Sequence, residues 1–354
     1  MLLLLCAQAL VGCATLEYYA QAVSGHFELM QAARPIEEML AFPQRGELDP
    51  RTREQLREAL ALRDFSVGEL GLPDNPSYRN YADLKRPFVV WNVVAAPEFS
   101  LRPKVWCFPI AGCLAYRGYY AETDARALAE ELRNSGYDVS VGGVRAYSTL
   151  GWFDDPVLNS MLAPPSPYLA GVMFHELAHQ QLYIEDDSKF NEAFATAVQR
   201  IGQRRWLEAH GQPGAVERLA QAQHRQLEFA ALLRRHRAQL ASLYESGERP
   251  ERMRKEKRRI FAALRAAYDE LEASWDGGPV YRGFFSTDLN NARLVAVATY
   301  LDLVPAFEQL AREQDGDLNA FYAAAAALGA LDPVRRAERL QALSKAARDH
   351  GASP

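Results

Sequence analysis

Two histidines and a glutamate stand close together at a spacing that suggests chemistry. Residues 175–179 read H-E-L-A-H. On a helix, a spacing of four residues places His175 and His179 on one face, where they can share a zinc ion with Glu176 beside the activated water as general base. The alternative is a pair of core histidines and a snorkelling glutamate, which would need partners for three buried polar groups. The pattern favours a zinc site with one ion per chain.

A catalytic zinc needs a third protein ligand and a position left open for water. The apolar stretch that starts at Ser166-Pro167 has a good helix start, and it ends at a polar turn over residues 185–188. A second helix is expected from about Lys189. If the two helices form an antiparallel hairpin, Glu192 lies as far after the bend as His179 lies before it. We therefore expect Glu192 to be the third ligand.

The elements that must position these residues follow from the apolar periodicity. Helical spacing marks residues 14–64, β-branched and aromatic runs lie between 87 and 148, and nearly everything after 165 reads as helix. The predicted fold class is α+β and mostly α-helical, with a small mixed sheet of about four strands and one helix near 123–134. An apolar 3/4 spacing between about 214 and 275 predicts a helical hairpin.

Five regions are expected along the chain. They are a signal peptide (1–12), an N-terminal helical region (13–86), a catalytic core (87–205), a helical-hairpin insertion (206–276) and a C-terminal helical region that completes the cleft (277–354).

The apolar N-terminus is shorter than the roughly 20 residues that a membrane span requires, and its small-residue end is typical of a secretory leader. It closes with Leu10-Val11-Gly12-Cys13, which resembles the lipobox of bacterial lipoproteins. That resemblance implies removal of residues 1–12 and a lipid anchor at Cys13. Ala14, in place of Asp, favours the outer membrane, facing the periplasm. The alternative is a buried N-terminal helix.

Cys107 and Cys113 flank a turn that contains Pro109 and Gly112. Because the turn could bring the two sulfurs together, we expect a disulfide in an oxidising compartment. Two free, buried thiols are the alternative.

Charge and composition narrow the range of partners. The formal net charge is −5, from 40 basic and 45 acidic residues, which is too balanced for a dedicated nucleic-acid binder. The basic run at 252–259 could face an anionic surface, although a solvated helix face is the simpler interpretation. A protein partner could bind through the helical hairpin.

Several segments together resemble a known family. They are HELAHQ, FNEAFA, PIAGCLAYRGYY, YSTLGWFDDPVL and LNNARL. They resemble a bacterial family of predicted aminopeptidases, zinc-dependent envelope lipoproteins of gluzincin type, over roughly residues 10–330. The resemblance implies a zincin-like catalytic core and a peptide substrate.

Peptide hydrolysis also needs a donor for the oxyanion and groups that hold the substrate. The candidates for these roles are Tyr147, Asp154, Tyr281, Arg293 and Tyr300. For the tyrosines and the arginine, a structural role is the alternative, and Asp154 could equally cap a helix.

The leading hypothesis is a zinc metallopeptidase, an aminopeptidase by the resemblance, in the bacterial cell envelope. One alternative is an endopeptidase with the same mechanism. The other is a non-catalytic envelope scaffold or peptide-binding lipoprotein with a structural metal, for which the water-activating Glu176 would be unnecessary.

Overall fold

The computed structural model describes residues 2–42, 48–108, 112–146, 148–163, 166–211, 213–276, 278, 280–298 and 303–351. The predicted fold class is confirmed, because 64% of the protein is helical and the strands form only small sheets. The helices are α1 (Leu2–Ala32), α2 (Ile36–Ala41), α3 (Pro50–Gly68), α4 (Glu122–Asn134), α5 (Asn159–Leu162), α6 (Ser166–Gln181), α7 (Ser188–His210), α8 (Ala215–Glu245), α9 (Pro250–Ala273), α10 (Arg282–Phe285), α11 (Asn291–Ala298), α12 (Val304–Arg312), α13 (Leu318–Gly329) and α14 (Pro333–Gly351). The strands are β1 (Arg34–Pro35), β2 (Asn80–Ala82), β3 (Val90–Pro97), β4 (Trp106–Phe108), β5 (Gly112–Leu114), β6 (Arg117–Tyr119), β7 (Tyr137–Val144) and β8 (Val157–Leu158).

The described strands form three sheets. Two have three strands each, in the orders β1-β2-β8 and β6-β3-β7, and β4 pairs with β5 alone. In the first sheet, β1 runs antiparallel and β8 parallel to β2. The predicted four-stranded sheet therefore differs from the observed one at β4. That strand pairs with its neighbour in sequence, with Cys107 opposite Cys113, and so closes a local hairpin.

The chain divides into two compact units. Unit 1 comprises residues 1–92, 118–125 and 142–180, and unit 2 comprises residues 93–117, 126–141 and 181–354. The five regions expected from the sequence stay a prediction.

Helix α1 belongs to unit 1 and packs along one face. Gly25 and Leu29 are buried, whereas Val23 and Phe27 are exposed on another face. The Gln21 side chain accepts a hydrogen bond from the Tyr120 backbone N–H at 3.1 Å, which ties the helix to the chain after β6. Within the part of the chain described, no helix has both the length and the apolar character needed to cross a membrane.

A buried arginine on α3 organises a loop of unit 1. The Arg63 side chain is fully buried. Its Nε donates to the carbonyl of Ser77 at 2.9 Å, and its Nη2 donates to the carbonyls of Pro73 at 2.7 Å and Asn75 at 2.8 Å. Buried carbonyls need donors, and a buried cation needs acceptors, so each group satisfies the other. We call residues 73–78 the Arg63 loop.

Unit 2 contains the predicted helical hairpin, formed by α8 and α9. Its core buries Leu233 and Leu240 of α8 with Ile260 and Leu264 of α9. Most of the basic run is exposed, as expected for a solvated face, but Lys257 is not. That residue shares the inner face of α9 with Ile260 and Leu264, so it is buried there.

The ammonium group of Lys257 has partners in unit 2. It donates to the carboxylate of Asp138 at 2.6 Å and to the carbonyl of Glu98 at 2.8 Å. A basic side chain that a charge count assigns to solvent thus has a structural role here.

We expect Arg63→Met to destabilise the protein by about 3 kcal/mol or more, because three carbonyls lose a donor, at roughly 1 kcal/mol or more for each buried group left unsatisfied. Arg57→Met on the same helix is the control, since the Arg57–Glu54 ion pair is exposed on both sides. Loss of this exposed ion pair should lower the free energy of unfolding by less than about 1 kcal/mol. Urea unfolding of both variants provides the measurement. Equal stabilities would contradict the organising role of Arg63.

Candidate metal centre

Helix α6 carries the H-E-x-x-H residues, and its apolar side chains hold it in place. Met173, Phe174 and Leu177 are fully buried. Since apolar positions occur nearly all round this helix, it is a buried helix rather than a surface one. His175 and Glu176 stay partly exposed, so the polar face of α6 is open to solvent. The predicted helix therefore forms with both histidines one turn apart on one side.

A rigid turn leads from α6 into α7. The Asn191 amide group accepts a hydrogen bond from the Ile184 N–H at 2.8 Å and donates one to the Ile184 carbonyl at 2.7 Å. Asp187 caps α7 by accepting from the Phe190 N–H at 3.1 Å. Both contacts fix the start of α7 relative to the turn, and Glu192 is the residue directly after Asn191.

The turn has a further anchor in unit 2. The Arg336 guanidinium donates to the Asp187 carboxylate at 2.6 Å, and it also donates to the carbonyls of Gly329 and Leu331. Asp187 therefore has two partners, the α7 backbone and Arg336.

The three expected ligand residues converge. The Nε2 atoms of His175 and His179 lie 3.2 Å apart. With Glu192 they form a group in which one ligand atom from each residue lies within 4.8 Å of the others. A tetrahedral zinc with Zn–N bonds of roughly 2.0–2.1 Å separates two nitrogens by about 3.3 Å. The spacing of the imidazoles and the His-His-Glu donor set therefore fit a zinc ion.

Two exposed tyrosines that the sequence analysis did not single out lie near the site carboxylates. Partial burial raises the pKa of Tyr168, while the Arg145 charge lowers it and the Glu176 carboxylate raises it. Burial likewise raises the pKa of Tyr183, with a second contribution from the Glu192 carboxylate. Helical spacing could have found Tyr168, since it precedes Glu176 by eight residues on α6.

A third tyrosine, Tyr78, has no helical spacing in the sequence that connects it to these carboxylates. Tyr78 is fully buried, and its pKa is raised well above the usual range by burial first, then by the charges of Glu176 and Asp155. It lies almost a hundred residues before Glu176 in the sequence. Only the fold brings it into range of Glu176.

The two neighbouring aspartates have different environments. Asp154 is exposed, whereas Asp155 is fully buried. One Asp155 oxygen accepts a hydrogen bond from the Thr149 N–H at 2.8 Å. Burial raises the pKa of Asp155 to about 6. Asp154 is thus accessible to a ligand, and Asp155 is part of the interior.

The structure places the remaining candidates as follows. Tyr281 stacks on Phe229, with ring centroids 4.1 Å apart, inside the aromatic core of the helical hairpin. The Arg293 guanidinium donates to the carbonyls of Phe284 and Gly283 and to the Thr287 hydroxyl. Both residues have local structural contacts. Tyr147 and Tyr300 lie outside the described residues, and so does the Cys13 side chain.

The two cysteines of the β4–β5 hairpin are joined in a disulfide, Cys107–Cys113. Their residues face each other across the pair of strands, so the bond links directly opposed positions. The intervening residues 109–111 lie outside the described part of the chain.

The α6–turn–α7 segment presents a donor set of the kind that metal-dependent hydrolases use. The chain belongs to a family described as "Putative aminopeptidase", whose model matches residues 17–340. The family's description suggests a peptidase. No curated protein and no solved structure matches the chain.

Zinc should bind at about one ion per chain, and His175→Ala, His179→Ala and Glu192→Ala should each remove most of it, because two ligands make a poor site. The matched control is Glu185→Ala in the turn, which should keep full occupancy. Metal analysis by plasma mass spectrometry of the purified variants gives the stoichiometry. Full zinc content in Glu192→Ala would show that the third ligand lies elsewhere.

Proposed function

We propose that the protein is a zinc metallopeptidase that removes residues from the amino terminus of peptides. The observation that carries the proposal is the convergence of His175, His179 and Glu192, with Glu176 between the histidines in sequence. Family membership supports peptide hydrolysis as the reaction. A structural metal would need only the ligands, whereas this segment also supplies a partly exposed carboxylate that is not a ligand.

The residues of the chain divide the chemistry between them. His175, His179 and Glu192 would hold the zinc ion, which would supply a Lewis acid for the scissile carbonyl and for water. The Glu176 carboxylate accepts a proton as water attacks the carbonyl carbon, and it then delivers that proton to the leaving amine. Glu176 is regenerated as a carboxylate, so protons balance over one turnover.

An aminopeptidase must also bind the free ammonium group of its substrate. An exposed carboxylate suits that role, and Asp154 is exposed while its neighbour Asp155 is committed to the interior. Asp154 is therefore our candidate for the ammonium site. Exopeptidase and endopeptidase action differ in where the first bond breaks, so they are separated by mapping cleavage positions.

The sharpest test of the mechanism is Glu176→Gln. The amide keeps the size of the side chain, and residue 176 is not one of the expected metal ligands. Zinc content and folding should therefore remain near wild type. Loss of the proton acceptor should lower kcat by about 10²–10⁴-fold. Glu185→Gln in the turn is the matched control and should retain activity. Wild-type turnover by fully zinc-loaded Glu176→Gln would rule out the mechanism.

The substrate class is tested with the zinc-loaded protein and a peptide library whose products are sequenced by mass spectrometry. Stepwise loss of residues from the amino terminus, abolished by N-acetylation, is the expected result. Internal cleavage that tolerates acetylation would assign an endopeptidase. No cleavage by the wild type would refute peptidase function altogether.

We also propose that the protein is anchored by lipid at Cys13 in the outer membrane of a bacterial envelope, facing the periplasm. The support is the sequence Leu10-Val11-Gly12-Cys13 and the disulfide between Cys107 and Cys113, a bond that persists in oxidising compartments.

Protein made in bacteria from its own start should lose residues 1–12 and carry acyl chains on Cys13, because the leader is cut before the lipidated cysteine. Intact-mass measurement on membrane fractions reads both changes at once. Cys13→Ala should instead keep the leader. A wild-type mass that includes residues 1–12 without lipid would exclude the anchor.

A further inference from the structure

The loop between β7 and β8 exposes two aromatic side chains next to a carboxylate. Trp152 is 78% exposed and Phe153 is 51% exposed, and the exposed Asp154 follows them directly. Removing large aromatic side chains from water releases free energy, so a loop that displays two of them is typical of a binding surface. We call residues 148–155 the aromatic loop.

Hydrogen bonds within the aromatic loop fix its backbone. The Thr149 N–H donates to the Asp155 carboxylate at 2.8 Å, and the Thr149 hydroxyl accepts from the Phe153 N–H at 3.0 Å. The Trp152 N–H donates to the Thr149 carbonyl at 3.1 Å. The loop ends at the buried Asp155, whose carbonyl accepts from the Tyr78 N–H at 2.6 Å. Because the two rings stand on a fixed backbone, a ligand that binds them has little of the chain to order.

A strained turn leads into the two rings. Leu150 has φ +56°, in the left-handed region that a bulky side chain rarely adopts, and Gly151 follows at φ +83°. A left-handed leucine costs free energy and persists only where the surrounding structure imposes it, and such strain is concentrated at binding and catalytic sites. The chain thus keeps an unfavourable backbone directly before two side chains that stand largely outside the core.

The aromatic loop lies against the helix that carries the H-E-x-x-H residues. A Cβ placed on Gly151 would lie 3.6 Å from the Gln180 side chain, so these two residues are in close contact. Gln180 directly follows His179, and it shares a face of α6 with Glu176, four residues earlier. The two exposed rings therefore come directly after a glycine that touches the face of α6 on which Glu176 lies.

The Arg63 loop holds Gln180 in this position. The Asn75 Nδ2 donates to the Gln180 Oε1 at 2.7 Å, and the Gln180 Nε2 donates to the Ser77 Oγ at 3.4 Å. All of these residues belong to unit 1. The contact between Gly151 and α6 thus joins two fixed segments of one compact unit.

A lipid surface is the rival occupant of the exposed rings. Val23 and Phe27 of α1 are also exposed. The ring of His26, on the same helix, has its centroid 4.5 Å from that of Phe153. Asp154 favours a peptide instead. Its carboxylate would lose hydration at a lipid surface, which costs free energy, whereas the ammonium group of a substrate would pair with it.

We propose that Trp152 and Phe153 form the subsite for the side chain of the substrate's first residue, so that the enzyme prefers peptides that begin with a large apolar residue. That side chain leaves the same α-carbon as the ammonium group, so it lies within reach of rings adjacent to Asp154. The inference rests on the proposed aminopeptidase function and names the class of its substrates.

The test compares leucyl and alanyl p-nitroanilides as substrates of the full-length, zinc-loaded protein. The wild type should prefer the leucyl substrate by about tenfold or more in kcat/KM, as apolar subsites do for added methylene groups. Trp152→Ala should reduce that preference to about twofold or less and leave kcat/KM for the alanyl substrate within about threefold. Zinc content and the thermal midpoint should stay at wild-type values, because the deleted ring is exposed.

Phe153→Ala and Phe42→Ala form a matched pair of variants. Both phenylalanines belong to unit 1, and they are exposed to similar degrees, 51% and 61%. Phe153→Ala should lower the preference for leucine, whereas Phe42→Ala should keep it. Equal preferences in the two variants, or an unchanged preference in Trp152→Ala, would overturn the subsite.

Binding of amino-acid hydroxamates gives a readout without turnover. By calorimetry, leucine hydroxamate should bind the zinc-loaded wild type about tenfold more tightly than alanine hydroxamate, and Trp152→Ala should remove the difference. A wild type that cleaves no peptide but shows this difference would refute the proposed function and leave the subsite intact. Peptide cleavage without any preference for a large apolar first residue would overturn the subsite and leave peptidase function intact.

The lipid alternative is tested with vesicles of brominated phosphatidylcholine, which quench tryptophans that enter the bilayer surface. The Trp152 signal is the difference in fluorescence between the wild type and Trp152→Phe. We expect leucine hydroxamate to change this signal and the vesicles to leave it unquenched. Quenching by the vesicles, with no response to the hydroxamate, would assign the rings to a lipid surface and overturn the proposal.

Discussion

The candidate metal centre depends on the hydrogen bonds between the Asn191 amide and both backbone groups of Ile184. Two helices joined by a short polar turn can meet at many angles, and only a narrow range of angles lets a carboxylate on the second reach imidazoles on the first. A side-chain amide that binds the N–H and the carbonyl of one residue removes that freedom. Glu192 is adjacent to Asn191, so the fixed turn also fixes the height of the third ligand on α7.

Within unit 1, the protein accepts energetic costs that a core chosen for stability alone would avoid. Arg63 is fully buried, Tyr78 has left-handed backbone, and Asp155 is a carboxyl without solvent. A buried cation surrounded by carbonyls is balanced by its hydrogen bonds.

The sequence predicted the features that depend on local spacing. The α+β, mostly helical class, the helix of residues 175–179, the second helix with Glu192 and the α8–α9 hairpin all follow from apolar periodicity and capping patterns. Strand β4 pairs with β5 alone and not with the larger sheet that was expected. Strand pairing depends on which strands lie close in space, and apolar periodicity does not indicate that. Lys257 was buried against expectation because a charge count does not identify the inner face of a helix.

Tyr78 could not be predicted for a related reason. No periodicity connects it to α6, and its proximity to Glu176 depends on a cation on α3 that holds the intervening loop. Tyr281, a candidate proposed from the sequence, stacks on Phe229 instead. Contacts between residues that are far apart in the sequence therefore cannot be predicted from residue spacing alone.

The closeness of the candidate metal ligands in the sequence affects the order of assembly during folding. His175, His179, Glu192 and the Asn191–Ile184 bonds all fall within eighteen consecutive residues. Closing so short a loop costs little entropy and is fast, whereas contacts between α3, the Arg63 loop and α6 span more than a hundred residues. A nascent chain can therefore bring its candidate metal ligands together well before the contacts between α3, the Arg63 loop and α6 form, so the two are separate kinetic events.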